Sequence, residues 1–460
     1  MDEDMEFDSG SGTAVPPQAP PQAAAAPEPY DGRKMIDLVF VQDCTGSQGS
    51  YISSATKNIE EICAHIFHSG KLQDREDLRV GLVAYRDHPP QDHTWVYKNF
   101  GFTSDISRVR EQLSSLYATG GGDGPEAVTA GLYQALMMDW REHASRMVVL
   151  IADAPSHGIG EYGDGFDEGS PDGHDPLQIA RQMASKGITL FFVACEPALS
   201  GYSYATDFFQ ALVNITSGLM LPLTTADLLA HAIVGSVLEN LDMERLIREV
   251  GQAVAQRILG ANESVDDVAK ELHERLLLRN ESTKRVVIES IYKDSEEAKH
   301  NVQVFMTAPS LADARPQLRK VRGTRFTDKY LQARMQGYHS PYSSYARPYD
   351  SPKSYTATPT ASASPPKSPT PRKVVSDFGA FSAPANASVF GTAVQSSPFS
   401  LAGGKAAFGG MRNGNNAATF GDEEEEEDDG RQRVELREDS ITLDQAKRIA
   451  MQSAWRSMRS

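Results

Sequence analysis

Four short stretches of this sequence carry oxygen-bearing side chains in patterns that suit a hard cation. An apolar run leads straight into Asp43-Cys44-Thr45-Gly46-Ser47, where an Asp, a Thr and a Ser at alternating positions turn three oxygens toward one point. Asp87 follows a second apolar run in Tyr85-Arg86-Asp87-His88, and Asp153 follows a third. The fourth stretch is Gly120-Gly121-Gly122-Asp123-Gly124-Pro125-Glu126, in which the glycines free the backbone to pass close to an ion and Pro125 can open a helix. Cations such as Mg²⁺ want oxygen donors at roughly 2.0–2.1 Å in near-octahedral geometry, and they keep waters where few charges are supplied. Taken singly, each stretch is ordinary: a D-x-T-x-S segment is usually a capped loop, and Asp123 or Asp153 a turn or cap residue. Together, in this order, they point to a divalent-cation site.

To gather these stretches, the chain needs elements that deliver strand ends to one place. Continuous apolar strands are expected at 35–41, 78–85, 147–152 and 188–194, buried on both faces in the middle of a sheet. Helical patterns alternate with them at 46–68, 105–117, 125–140, 175–186, 204–216 and 225–240. Strand and helix in alternation predict an α/β fold, a doubly wound and mostly parallel sheet with helices on both faces. In such a sheet ligands collect outside the strand carboxyl ends, so all four stretches are expected at strand carboxyl ends on one edge.

The D-x-T-x-S strand end, the Gly-Gly-Asp-x-Pro-Glu loop and the strand-Asp-Ala end resemble the metal-ion-dependent adhesion site of von Willebrand factor A (VWA) domains, whose fold is Rossmann-like. The Asp-x-Pro-Glu form resembles the A domains of integrin β subunits and of hemicentin-like proteins. Tyr-Arg-Asp-His, Gly-Gly-Gly-Asp-Gly-Pro-Glu and Ala-Asp-Ala-Pro-Ser-His-Gly, followed by an acidic loop to Gly173-His174-Asp175-Pro176, resemble the A domain of the von Willebrand factor-like α-kinases. The resemblance covers residues 33–240 and implies a primary metal held by Asp43, Thr45, Ser47, Glu126 and Asp153. It also implies a second metal at Asp87, Asp123, the Pro125 carbonyl and Glu126, although Gly121 stands where an Asn side chain would sit. Ser50 and Tyr51 replace the pair of acids a third metal would need, so no third site is expected. No glycine-rich phosphate loop follows residue 240, and no kinase is expected.

The totals set bounds on the rest. The net charge of -17 draws on six acids before Tyr30 and an uninterrupted acidic run at 422–429, which speaks against nucleic acid as the main partner. No apolar stretch approaches the ~20 residues of a membrane-spanning helix, and the acidic N-terminus lacks the pattern of a secretory signal. Three cysteines, Cys44, Cys63 and Cys195, have no metal-type spacing and argue against a disulfide framework. A reducing cytoplasm, or the nucleus, fits.

Residues 1–32 are expected to be disordered, as is the Ser-, Pro- and Gly-rich tail 323–437. That tail carries Ser-Pro and Thr-Pro pairs open to proline-directed phosphorylation and Phe-Gly pairs at Phe378, Phe390, Phe408 and Phe420. Between them, 241–322 reads as a helical extension or a small subdomain, with one helix opening at Ser264 and a strand-like run at 284–291. The terminal segment 438–460 reads as a short partner-binding helix with a Thr442/Gln445 capping box. His65 and His68, three apart on a helix, read as surface or core residues, and no nucleophile–base arrangement suggests a hydrolase.

The function expected from these readings is an intracellular, non-enzymatic protein-binding module. Its Mg²⁺, with Mn²⁺ and Ca²⁺ as alternatives, would capture the Asp or Glu carboxylate of a partner. The loop 155–176 would be either the rim that sets specificity or a mobile insertion. Two alternatives remain at this stage: a component or recruiter of an α-kinase-type phosphorylation system, and a scaffold acting through its tail.

Overall fold

The computed structural model describes residues 33–337 and 432–458. The segment 1–32 and the greater part of the tail, with its phosphorylation pairs, Phe-Gly pairs and acidic run, lie outside the described residues. The apolar runs become β1 (Met35–Asp43), β2 (Leu78–Tyr85), β4 (Ala144–Ala152) and β5 (Ile188–Cys195). Two shorter or more polar strands complete the sheet, β3 (Tyr97–Thr103) and β6 (Met220–Leu223). Strand order is β3-β2-β1-β4-β5-β6, parallel throughout except for β3 at one edge.

Parallel neighbours need crossovers, and the helices supply them on both faces. On one face α1 (Gly49–His68), α2 (Ile106–Ser114) and α6 (Leu229–Ala255) pack Ile59, Ile62, Val109 and Ile233 against Phe40, Leu82 and Val149. On the other, α3 (Val128–Leu136), α4 (Pro176–Ser185) and α5 (Ala205–Ile215) pack Leu132, Leu177 and Phe209 against Val41, Leu150 and Phe192. Each such buried side chain contributes about 1.5–3 kcal/mol. Asp175 caps α4 through the backbone N–H groups of Leu177 and Gln178, with Pro176 in the first turn.

Some boundaries differ from the sequence reading. Residues 46–48 form a short 3₁₀ turn before α1, and α3 begins at Val128, not at Pro125. Pro125 therefore does not open the helix, because Glu126 is diverted into a parallel bridge with Ser156.

Beyond residue 240 the chain is a packing extension of the sheet domain. The helix α6 runs through that boundary without a break to Ala255. It is followed by α7 (Val265–Leu278), β7 (Ser282–Ile288), α8 (Glu296–Thr307), α9 (Leu311–Ala314), α10 (Asp328–Gly337), β8 (Val434–Ser440) and α11 (Leu443–Ser457). β7 and β8 pair antiparallel and lie on α6, where a side chain at Gly235 would strike Val286 at 2.9 Å. On the opposite face α8 packs Phe305 edge-on to Phe208, with ring centroids 5.5 Å apart.

Two expectations about the tail are corrected. Residues 323–337 and 432–437 are ordered: Arg325 ion-pairs with Asp207 at 2.6 Å, Phe326 is buried, and Val434 joins the core. The terminal helix α11 has the expected capping box, but its Ala446, Ile449 and Ala450 are buried by α6 and α7 of its own chain. That face is therefore not free for a partner. No helix among the described residues is long and apolar enough to cross a membrane.

A buried polar clamp fastens α11. Arg448 donates to Glu239 at 2.6 Å and to the Ser217 carbonyl at 2.9 Å, while the other Glu239 oxygen accepts from the Val286 N–H at 2.8 Å. Removing one member of a buried pair strands the other charge, at a cost of about 3–5 kcal/mol. Arg448→Met should lose stability in that range in urea denaturation, and adding Glu239→Leu should recover most of it; equal stability of the single variant and wild type would show that the clamp carries nothing.

Candidate metal centre

The parallel register brings the first carboxylates together. Asp43 closes β1 opposite Tyr85 of β2, and on the other side Gln42 pairs with Ile151 of β4, so Asp153 falls just beyond the neighbouring strand end. Asp43 is fully buried, with Oδ1 accepting from the Thr45 N–H at 2.8 Å and the Thr45 hydroxyl at 2.7 Å. Its Oδ2 is buried with no hydrogen-bond partner.

Asp123 and Glu126 reach the same edge by another route. Their loop follows α2, not a strand, which corrects the expectation that all four stretches lie at strand carboxyl ends. Backbone bonds draw the loop in: Thr119 N–H to the Cys44 carbonyl at 3.0 Å, Gly46 N–H to the Gly120 carbonyl at 3.3 Å, and Glu126 N–H to the Pro155 carbonyl at 2.8 Å. Two glycines make the approach feasible. At Gly121 (φ +81°) a Cβ would stand 2.6 Å from Glu126 Oε1, and at Gly120 (φ +84°) it would overlap the Asp92 carboxylate. The place where the resemblance wants an Asn is thus closed to any side chain.

Thr45, Ser47, Gly121, Asp123, Glu126, Asp153 and Tyr202 line a cleft of about 550 Å³. Tyr202 is fixed there by its hydroxyl, which donates to the Gly124 carbonyl at 2.7 Å. Ser47 is exposed, whereas Thr45, Glu126 and Asp153 are buried. Burial first, and then the charge of Asp153, pushes the Asp43 carboxyl up to about 7. Glu126 is pushed up to about 11 by burial and then by Asp43, Asp87, Asp123 and Asp153, and its Oε2 has no partner. Arg86, fully buried on the same edge, does not answer these charges. It donates to Thr94 Oγ1 at 2.8 Å and the Tyr117 carbonyl at 3.0 Å, stacked over Trp95 and Tyr117.

Of the second set, Asp87 and Asp123 come together, but around a residue that the sequence reading left without a role. Donor atoms of Asp87, Asp123 and His157 all lie within 4.8 Å of one another. His157 Nε2 is 2.7 Å from Asp87 Oδ1, and its Nδ1 is 2.7 Å from Asp164 Oδ1. Burial alone would lower the His157 pKa, but the hydrogen bonds to Asp164 and Asp87 outweigh it and hold it near 9. Asp164 also accepts from the Gly158 and Phe166 N–H groups, and Phe166 packs its ring on His157 at 4.9 Å. The loop 155–176 is therefore a built structure, fastened further by Gly165 N–H to Asp123 and by Ser203 and Tyr204 N–H to Glu161. His157 stands in the Ala-Pro-Ser-His segment already singled out, so its signal was proximity to Asp153 in sequence.

A sheet with this strand order, whose carboxyl edge gathers a D-x-T-x-S turn, an acidic glycine loop and a strand-end Asp, is matched by one family model, the von Willebrand factor type A domain, over residues 37–218. Residues 37–218 are a von Willebrand factor type A domain. The chain is 31% identical over 162 residues to the α-protein kinase vwkA of Dictyostelium discoideum, a match covering 34% of this chain and 25% of that kinase. It is 26% identical over 195 residues to an ariadne-like RING finger protein of Acanthamoeba polyphaga mimivirus, covering 41% of this chain and 18% of that protein. The chain thus spans a quarter or less of the length of these relatives. Among solved structures, the pilus adhesin SpaC of Lactobacillus rhamnosus GG in its open conformation aligns at 14% identity and a TM-score of 0.34, covering 45% of this chain and 30% of that one. VWA domains are in general non-catalytic interaction modules, and they often bind a divalent metal.

The raised Asp43 carboxyl has a measurable sign. Folded Asp43 keeps its proton up to about pH 7, whereas an unfolded Asp releases it near 3.8, so in chelator stability falls as pH rises through that window. Each tenfold difference in proton affinity between the folded and unfolded states is worth about 1.4 kcal/mol. Asp43→Asn should flatten this decline and stabilise the metal-free protein at pH 7.5 by on the order of 1–4 kcal/mol; urea denaturation at pH 4.5 and 7.5 in chelator reads it, and parallel declines for both proteins would show that the Asp43 charge is not their cause.

Proposed function

We propose that the A domain is a metal-dependent protein-binding module, in which Asp43, Thr45, Ser47, Glu126 and Asp153 hold a divalent cation for capture of a partner's carboxylate. The observation that carries this reading is the pair of buried carboxylate oxygens without partners: Glu126 Oε2, on the wall of the cleft with Asp153, and Asp43 Oδ2, on the residue hydrogen-bonded to Thr45 of the same wall. Burial raises the pKa of both acids, and nearby negative charge, Asp153 at Asp43 and Asp43 at Glu126, raises it further; a cation would offset both effects. The donors are carboxylates and hydroxyls, which suits Mg²⁺ best, with Mn²⁺ and Ca²⁺ as the alternatives.

When bound, such an ion supplies a Lewis-acidic position at which a partner's Asp or Glu can replace water. The chain's own residues do the rest. Thr45 orients Asp43 through its N–H and hydroxyl, leaving Oδ2 free to bind. The Glu126 backbone is pinned to Pro155, so the Glu and Asp153 keep their spacing. Exposed Ser47, and the ordered loop that presents a fully exposed Tyr162, form the ground on which a partner would rest. A single carboxylate contact is weak, and the surrounding rim sets affinity and choice of partner.

A second reading has one observation in its favour, the 31% identity to an α-protein kinase. Under that reading the module recruits, or works beside, a phosphotransferase. Kinase activity co-purifying with the full chain from cells, and lost with Asp43→Asn, would place the recruited partner at the cleft.

Adding Mg²⁺ at 100-fold over its Kd should stabilise the chelated full chain by about 2.7 kcal/mol, read as a rise of several degrees in Tm. Asp43→Ala combined with Asp153→Ala should fold, lose that rise and lose chelator-sensitive partners in pulldowns. Retention of every interaction by the double variant would overturn the proposal.

A further inference from the structure

Sharing Asp123 with the wall of the cleft is a cluster whose donors differ in kind from the all-oxygen set. Asp87 is fully buried at the end of β2, and its Oδ2 has no hydrogen-bond partner. Asp123 Oδ1 is likewise buried and unpartnered, since only its Oδ2 accepts, from the Gly165 N–H at 2.6 Å. Facing both is His157, buried, with Nε2 toward Asp87 and Nδ1 toward Asp164. Asp164 accepts from two backbone N–H groups as well, and this fixes it as the outer partner of the imidazole. Nε2 meets Asp87 Oδ1 at 2.7 Å, next to the two unpartnered oxygens Asp87 Oδ2 and Asp123 Oδ1, and a carboxylate behind Nδ1 is the way outer acids orient metal-bound histidines.

We propose that Asp87, Asp123 and His157 form a second metal site that takes a first-row transition ion, Mn²⁺ or Zn²⁺, with Asp164 as the positioning residue. One imidazole nitrogen and two carboxylates favour such ions over Mg²⁺ or Ca²⁺, which prefer oxygen alone. Three protein ligands also leave open positions in the coordination sphere. The site differs from the set implied by the resemblance, because the nitrogen donor comes from the loop after β4 and Gly121 contributes no side chain. The loop 155–176 is thereby tied to the end of β2 through the ion as well as through its own hydrogen bonds.

The full chain, stripped with chelator, is titrated with Mn²⁺ by calorimetry and examined by pulsed electron paramagnetic resonance for coupling to ¹⁴N. Wild type should bind two equivalents and show ¹⁴N modulation. His157→Gln should lose one equivalent and the modulation, Asp164→Asn should weaken that equivalent roughly 10- to 100-fold, and Asp43→Asn should lose the other equivalent while the modulation persists. Wild-type Mn²⁺ without ¹⁴N modulation, or modulation that survives in folded His157→Gln, overturns the second site; the first of these results would mean that His157 serves only as a protonated bridge between Asp87 and Asp164. Should His157→Gln fail to fold, the wild-type spectrum and Asp164→Asn decide. A single equivalent that carries the modulation would sink the adhesion-site reading and leave this one standing.

Discussion

Negative charge gathered at one edge of the sheet is the condition around which the rest of this molecule is arranged. Asp43, Asp87, Glu126 and Asp153 are all buried there, and Asp123 stands half-buried among them. Water cannot relieve charges that it does not reach, and like charges in a medium of reduced dielectric repel strongly. The chain nevertheless holds the acids close with backbone bonds through Thr119, Gly46 and Glu126. It also directs its buried guanidinium, Arg86, to Thr94 and Tyr117 instead of to these acids. Protonation of Asp43 and Glu126 relieves part of this charge, and under the function proposed above a bound cation would relieve it instead, linking folding and ligand binding in one equilibrium.

The opposite treatment of charge is seen in the extension. Glu239, buried within α6, meets Arg448, Gln445 and the Val286 N–H, and Asp207 meets Arg325 and Asn301. Glu244 is held below the usual carboxylate range, because Arg456 and then Arg248 outweigh the cost of its burial. Every one of these acids has its counter-charge within the chain. The contrast is internal to one protein: where charge serves packing it is paired, whereas at the carboxyl edge Asp87 meets His157 but Asp43 Oδ2 and Glu126 Oε2 have no partner. The extension thus fixes α5 and α6, on the two faces of the sheet, while leaving the edge between them free to bind.

How far this was legible depended on whether a signal was local. Asp43, Thr45 and Asp153 sit within two residues of strongly apolar central strands, so their position followed once the strands were recognised. Strand β3 is exposed over Tyr97, Lys98 and Asn99 and β6 has only four residues, and neither presents the apolar run that identifies a buried strand. The route of the Asp123–Glu126 loop rests on single backbone bonds to residues far away in sequence, which no periodicity encodes. His157 was visible as a residue but not as a neighbour of Asp87, because 70 positions separate them. Order in 323–337 and 432–437 hangs on isolated anchors, Arg325, Phe326 and Val434, inside a composition that otherwise reads as tail. The amphipathic face of α11 was correctly seen as needing a cover, but an intramolecular cover and an external one give the same pattern.

The segment from Asp153 to His157 joins the two charge clusters. Four residues can span at most about 14 Å when fully extended, and this segment is further shortened and stiffened by the bridge between Ser156 and Glu126 and by the Thr129 hydroxyl on Ser156 at 2.6 Å. Displacing Asp153 must therefore move His157 or break that bridge, and the reverse holds equally. Glu126 sits on the same bridge and borders the cleft, and its pKa, raised first by burial, is raised further by acids of both groups. The loop beyond, held by Asp164 and Glu161, takes its position from this joint. Under the two proposals made above, occupancy at one cluster would act on the other through this short, hydrogen-bonded segment.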